Sequence, residues 1–390
     1  MLKVVPQPGE FIRGHSERLS LLNGFQSAEE LLAVLDSKAR DGRKGWDPAP
    51  AYQLIAPLAR LDPVAYLKSH SLLPFSRVGA YSDEDVLDYE APARVKQRSA
   101  WTLLRDEAYL CSHCVAEDES RLGYSYWRAF HQIPGVDACD VHGEALFAVK
   151  SPRPFGRQPG AWRGSARPIS SELVALSDTP AVARYRRIAR AFLMSERRVS
   201  RFAASRCLGH RAQAMGFRVG ARGSQSTLAD CICNSFPAGW LAAHYPRLSV
   251  APRGANVQPV DGAARAQLSD GMVYAMALAA TFASAEEAIH AFRSATSDPV
   301  RRPRLRTGAL LERRERLLPL YLAAEGRALR VAEVLGVTES AAFRQLRAVG
   351  LPTIGKVTKS DRQRVISFVS KASREEVDRW VVAGSNIRSL

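Results

Sequence analysis

Four soft-metal donors stand in two short pairs, Cys111-Ser-His-Cys114 and Cys139-Asp-Val-His142, with 24 residues between them. A C-x2-C or C-x2-H turn brings two side chains to one side of the backbone and supplies half of a tetrahedral zinc site. Binding requires Cys111, Cys114 and Cys139 as thiolates and His142 neutral, so this segment is expected to fold in a metal- and pH-dependent way. Four protein ligands leave no open position for a catalytic water, which points to one structural zinc. A redox pair would need a strand–turn–helix context, which the sequence pattern around Cys111 and Cys114 does not lead one to expect. Chance pairing of buried thiols is the other alternative. His113 is a weaker rival to His142, and His131, in an apolar setting, reads as a hydrogen-bonded core histidine. Cys207, His210, Cys231 and Cys233 tempt a second zinc reading. However, Leu228, Cys231, Ile232 and Phe236 fall on one helical face, where cysteine serves as a small core residue.

The second chemistry the residue types offer is polyanion binding. The chain carries a formal net charge of +16, unevenly spread. Residues 1–150 hold 17 Lys/Arg against 21 Asp/Glu, residues 151–220 hold 14 against 3, and residues 301–390 hold 19 against 9. Most of the excess is arginine, whose planar fork suits phosphate oxygens, and such concentrated basic regions read as a nucleic-acid footprint. A solvated, solubilising surface is the plainer alternative. Residues 329–349, LRVAEVLGVTESAAFRQLRAV, fit a helix-turn-helix. Ala332 is small where two helices approach, Gly336 takes the turn, and Thr338 caps the second helix. Val331, Leu335, Ala342 and Leu346 turn inward, so Ser340, Phe343, Arg344 and Arg347, with Glu339, are offered to a major groove. Residues 310–326 would be the support helix, and residues 373–390 suggest a truncated second unit. The arginine-rich helix expected over 184–206 adds Arg186, Arg187 and Arg190 as phosphate contacts that position DNA without reading it.

The elements that must hold these residues are helices. Period-two alternation is almost absent, so the fold class is mainly α: a multi-domain helical protein with a small Cys3His zinc-finger module and a C-terminal helix-turn-helix. Ser27 and Glu30 mark a capping box, and Asp62-Pro63 open another helix. Residues 41–51 read as a loop. Residues 151–170, rich in Pro, Gly and Arg, read as a linker or an extended loop facing phosphate. The most apolar stretch, from Asp270 to Ala295, is one or two buried helices. The expected division is 1–105, an N-terminal helical domain; 106–150, the zinc module; 151–300, a basic linker and helical domain; and 301–390, the DNA-binding domain.

With these residues in view, a resemblance can be stated. Cys111-x2-Cys114, Tyr126-Trp127-Arg128, His131-Gln132-Ile133-Pro134-Gly135-Val136 and Cys139-x2-His142-Gly143 resemble the zinc-finger signature of the TniQ family. Pro6 to Gly14 with Arg18, Asn23 and Gly24 resemble that family's N-terminal motif. The stretches Met215–Arg218 and Phe236–Leu241 resemble the middle of its domain. The likeness covers roughly residues 5–245 and is most specific at 111–146; a second Cys-rich ribbon seen in many members is missing after residue 147. It implies zinc on Cys111, Cys114, Cys139 and His142. It also implies a transposition role: a target-selection adaptor linking a recognised DNA site, or an RNA-guided effector complex, to an ATPase that recruits the transposase. The partners would then be double-stranded DNA and a transposon-encoded ATPase; a homodimer is compatible with this reading.

Enzymatic chemistry finds no support in the sequence. Gly9 to Ser16 nearly spells a P-loop, but His15 stands where Lys must reach phosphate, and no apolar strand precedes it. Glu117, Asp118 and Glu119 form a carboxylate run that reads as solvated. A non-enzyme is expected, with an undetected nuclease as the residual alternative. A zinc-containing helix-turn-helix transcription regulator without transposition partners is the main rival to the adaptor. No apolar run reaches membrane-spanning length and the N-terminus lacks a signal-peptide pattern, so a cytoplasmic protein with no membrane partner is expected.

Overall fold

The computed structural model describes residues 1–40, 50–80, 104–217, 227–295, 307–349, 351–352, 359–372 and 376. It is mainly helical and divides into two compact units, Met1–Ser297 and Asp298–Leu390.

In the first unit the core is organised around the helix Gly271–Thr281, every residue of which is buried. Apolar on all sides, it is a helix that only an interior can hold. Asp270 starts it by accepting the Val273 N–H at 3.0 Å. Extended backbone at Phe282 ends it, and Ser284 caps a new helix, Ala285–Ser294, through the Glu287 N–H. Among the described residues no single helix is long and apolar enough to cross a membrane. The helix Pro180–Leu193 packs on this core through Val182, Tyr185, Ile188, Ala189 and Phe192.

One continuous core cluster contains residues from all three expected N-terminal segments, including Phe11, Cys139, Val149, Tyr185 and Trp240. The N-terminal motif reaches the Cys/His segment directly. Phe11 N–H donates to the Trp127 carbonyl, and Ala129 N–H to that of Gly9. Ser27 Oγ accepts from Glu30 N–H, but the Glu30 carboxylate accepts from Gln26 N–H and does not close the expected box on Ser27; Asp62 accepts from Val64 and Ala65 N–H as expected. Of the expected loop 41–51, residues 41–49 lie outside the described residues.

Two local expectations change. Residues 151–170 are anchored at a few points although most are exposed: Pro154–Gly156 and Pro159–Trp162 form 3-10 turns, Phe155 is 3% exposed, and Trp127 Nε1 donates to the Arg157 carbonyl. Prolines fix φ here while the aromatic rings bury, so the stretch becomes ordered without helical periodicity. Three of its four arginines meet glutamates: Arg153 lies by Glu17 and Glu29, Arg163 by Glu119, and Arg167 by Glu107. The arginine-rich helix is in fact two, Pro180–Leu193 and Arg201–Ala214. Between them Val199–Ser200 pairs in parallel with Gly79–Ala80, and Ser200 caps the second helix. The cap and the strand pairing outweigh the helical propensity of the intervening residues.

The second unit holds the helices Thr307–Ala323, Ala328–Leu335, Glu339–Ala348 and Lys359–Lys371 around Leu317, Tyr321, Val331, Ala342, Leu346 and Val365. Gly336, at φ +64°, ends the second of these, where a side chain would be strained. Thr338 Oγ1 accepts the Ala341 N–H to start the third. Apart from Glu376, residues 373–390 lie outside the described residues.

Candidate metal centre

A three-stranded antiparallel sheet frames the two Cys/His pairs. Ala108–Leu110 runs into the first pair, Phe147–Val149 follows the second, and Leu110 stands opposite Phe147 in register. Arg167–Pro168 adds the third strand. Cys111 is the N-cap residue of the helix Ser112–Leu122 and Cys114 lies in its first turn. The exposed N–H groups of a helix start favour negative charge, which suits thiolates. The second pair is a turn closed by Gly143 N–H donating to the Cys139 carbonyl at 2.9 Å, with Gly143 at φ +71°. Cys139 N–H in turn donates to the Glu144 carbonyl.

Together these elements converge the four donor atoms. Cys114 Sγ lies 3.6 Å from Cys139 Sγ, and His142 Nδ1 lies 3.6, 3.4 and 3.6 Å from the sulfurs of Cys111, Cys114 and Cys139. All four lie within 4.8 Å of one another. With Zn–S about 2.3 Å and Zn–N about 2.0–2.1 Å, a regular tetrahedron has edges of about 3.8 Å between sulfurs and about 3.6 Å from sulfur to nitrogen. The donor set fits zinc in both chemistry and spacing. The three cysteines are buried and His142 is half-buried.

The surroundings are equally specific. His142 Nε2 lies 2.9 Å from Glu117 Oε1, and the His113 ring stacks on His142 with centroids 5.4 Å apart. His113 therefore flanks the set and is not one of its four members. His131 is buried and its Nε2 has no hydrogen-bond partner; burial holds its pKa below the ordinary value. The loop that carries Cys139 is gripped from outside. Arg186 donates to the carbonyls of Ala138 and Cys139, and Arg190 pairs with Asp140. Tyr185 Oη donates to the Pro134 carbonyl. The buried Asp137 carboxylate meets Arg105 at 3.1 Å and His244 Nε2 at 2.7 Å. Gly135, at φ +78°, leaves room for the Trp240 indole, which a Cβ would strike.

The structure thus places the nominated arginines as follows. Arg186 is committed to the metal loop, Arg190 to Asp140, and the exposed Arg187 to Glu286 at 3.4 Å. In the second unit Ser340 and Phe343 are exposed, Phe343 by 42%. Arg344 and Arg347 lie on the helix Glu339–Ala348, and their side chains fall outside the described residues. The carboxylate run disperses: Glu117 faces His142, Asp118 pairs with Arg128 at 2.7 Å, and Glu119 with Arg163 at 2.8 Å. Cys231 and Cys233 point to the carbonyls of Ala280 and Leu248. Among the described residues neither they nor Cys207 and His210 join a donor cluster. Sequence reading missed Glu117 and the Arg105–Asp137–His244 tie. The i, i+3 spacing of Cys114 and Glu117 on one helix was a usable signal for the former.

The family model for TniQ matches residues 1–146, ending just past the fourth zinc-ligand candidate. No curated protein matches the chain. Within that span the N-terminal motif and the Cys/His segment are joined directly, Phe11 N–H to the Trp127 carbonyl and Ala129 N–H to that of Gly9. Residues 1–146 are thus similar to the TniQ family, whose proteins are associated with transposition.

Proposed function

We propose that the protein is a target-selection adaptor in transposition. In this reading the first unit uses a zinc-clipped TniQ segment to hold a partner surface, and the second binds duplex DNA. The observation that carries it is the match over residues 1–146 in a chain that continues into a separate, basic, helical unit. In that unit the helices Ala328–Leu335 and Glu339–Ala348 flank a short turn at Gly336 and present Ser340 and Phe343 outward. This arrangement supports a helix-turn-helix that lays Glu339–Ala348 in a major groove, with Arg344 and Arg347 on the base edges or phosphates. Its partners are double-stranded DNA, a transposon-encoded ATPase and, where targeting is RNA-guided, an RNA-guided effector complex. The zinc holds the fold and performs no chemistry; Cys111, Cys114, Cys139 and His142 are its ligands.

The test is capture of a transposon-encoded ATPase on duplex DNA with ATP present. The adaptor reading expects a stable ternary complex. Absence of capture, together with tight, symmetric binding to one operator sequence, would replace it with a solitary zinc-containing regulator.

A further inference from the structure

We propose that Glu117 is a positioning residue for the metal: it accepts the Nε2 hydrogen of His142 and so holds the Nδ1 lone pair toward the three thiolates. The inference rests on the zinc reading of the cluster and adds a residue outside the four ligands. Three observations carry it. Glu117 Oε1 lies 2.9 Å from His142 Nε2, while Nδ1 of the same ring lies within 3.6 Å of all three sulfurs. A neutral imidazole has one donor and one acceptor nitrogen, so an acceptor at Nε2 selects the tautomer that can ligate through Nδ1. Second, Cys114 and Glu117 sit three residues apart on the helix Ser112–Leu122, so one rigid element carries both a ligand and the group that orients another. Third, the three thiols are buried, and His142 is the ligand nearest solvent. The ring that Glu117 steadies is therefore the one that must swing away for the metal to leave.

The simpler view is an exposed ion pair of small consequence, since the Glu117 side chain is 64% exposed. The two views differ in what they predict for metal binding. Outer-shell partners of ligating histidines are typically worth about 10- to 100-fold in metal affinity. An exposed ion pair would leave affinity unchanged.

The experiment compares the full chain with Glu117→Ala and Glu117→Gln variants. Zinc affinity is measured by competition with a chromophoric chelator at fixed pH, and Co2+ binding is followed by its thiolate charge-transfer and d–d bands. Because the side chain is exposed, the metal-free variants should melt with the wild type. Glu117→Ala is expected to weaken zinc binding by about 10-fold or more and to speed chelator-driven metal loss. Glu117→Gln keeps an acceptor oxygen and should restore most of the affinity. Equal affinity for wild type and Glu117→Ala would overturn the proposal, as would a Glu117→Gln variant as weak as Glu117→Ala. A wild type that binds neither zinc nor Co2+ would instead remove the zinc reading itself.

Discussion

The His15 ring shares hydrogen bonds with Tyr66 Oη at 2.7 Å and the Val4 carbonyl at 2.8 Å, fully buried beneath the N-terminal motif. Burial, the largest cause, lowers its pKa to about 3, and nearby Arg18 and His70 add to the effect. Above pH ~6.5 neither folded nor unfolded chains protonate this ring. As pH falls from ~6.5 toward ~3 only the unfolded chain takes up the proton, so stability is lost over that window. Between pH 7.5 and pH 5 the wild type should therefore lose about 2 kcal/mol more than a His15→Gln variant. Urea unfolding of both proteins at the two pH values measures this, and the comparison cancels the pH dependence of metal binding common to both. The sequence showed His15 only as the residue that spoils a P-loop. Its burial depends on Tyr66, distant in the chain, which no local pattern could place beside it.

At the scale of elements, the Cys/His pairs join a helix start, a glycine-closed turn and two paired strands into one module. Replacing one thiol should dismantle all of it, because an unpaired site neither binds metal nor holds the turn. Cys114→Ser is expected to release about one equivalent of zinc and to abolish the cooperative melting of residues 106–148, read by metal analysis and hydrogen exchange. Retention of zinc with unchanged protection would refute the site. The helix Glu339–Ala348 carries a separate expectation. Arg344→Ala with Arg347→Ala should weaken duplex binding and lower the salt slope by about 2, one per lost phosphate contact. Titrations at several salt concentrations read this, and unchanged affinity would move recognition elsewhere. Caps were legible because they act within four residues: Ser27, Asp62 and Thr338 all work where the sequence places them. The break between Leu193 and Arg201 was not, because it depends on Val199–Ser200 pairing with Gly79–Ala80 from a distant segment.

For the whole molecule, the division at Ser297 and Asp298 makes a direct prediction. A fragment of residues 1–297 should stay folded with its zinc and lose most duplex affinity, since the proposed reading helix lies beyond it. Zinc content, thermal melting and DNA titration of the fragment check the three parts, and full duplex affinity would place DNA binding in the first unit. The mainly helical class, the Cys/His donor set, the buried face of Leu228–Phe236 and the inward residues of the C-terminal helices were all legible in the residue pattern. Each of these is set by spacing within a few residues, where helical period and turn geometry act. How the arginines of 153–198 are used follows from the folded arrangement alone. Arg153, Arg163 and Arg167 meet carboxylates, whereas Arg186 and Arg198 reach backbone carbonyls far along the chain. The same guanidinium suits a phosphate, a carboxylate or a carbonyl, and which of them it meets depends on which distant segment the fold brings within about 3 Å.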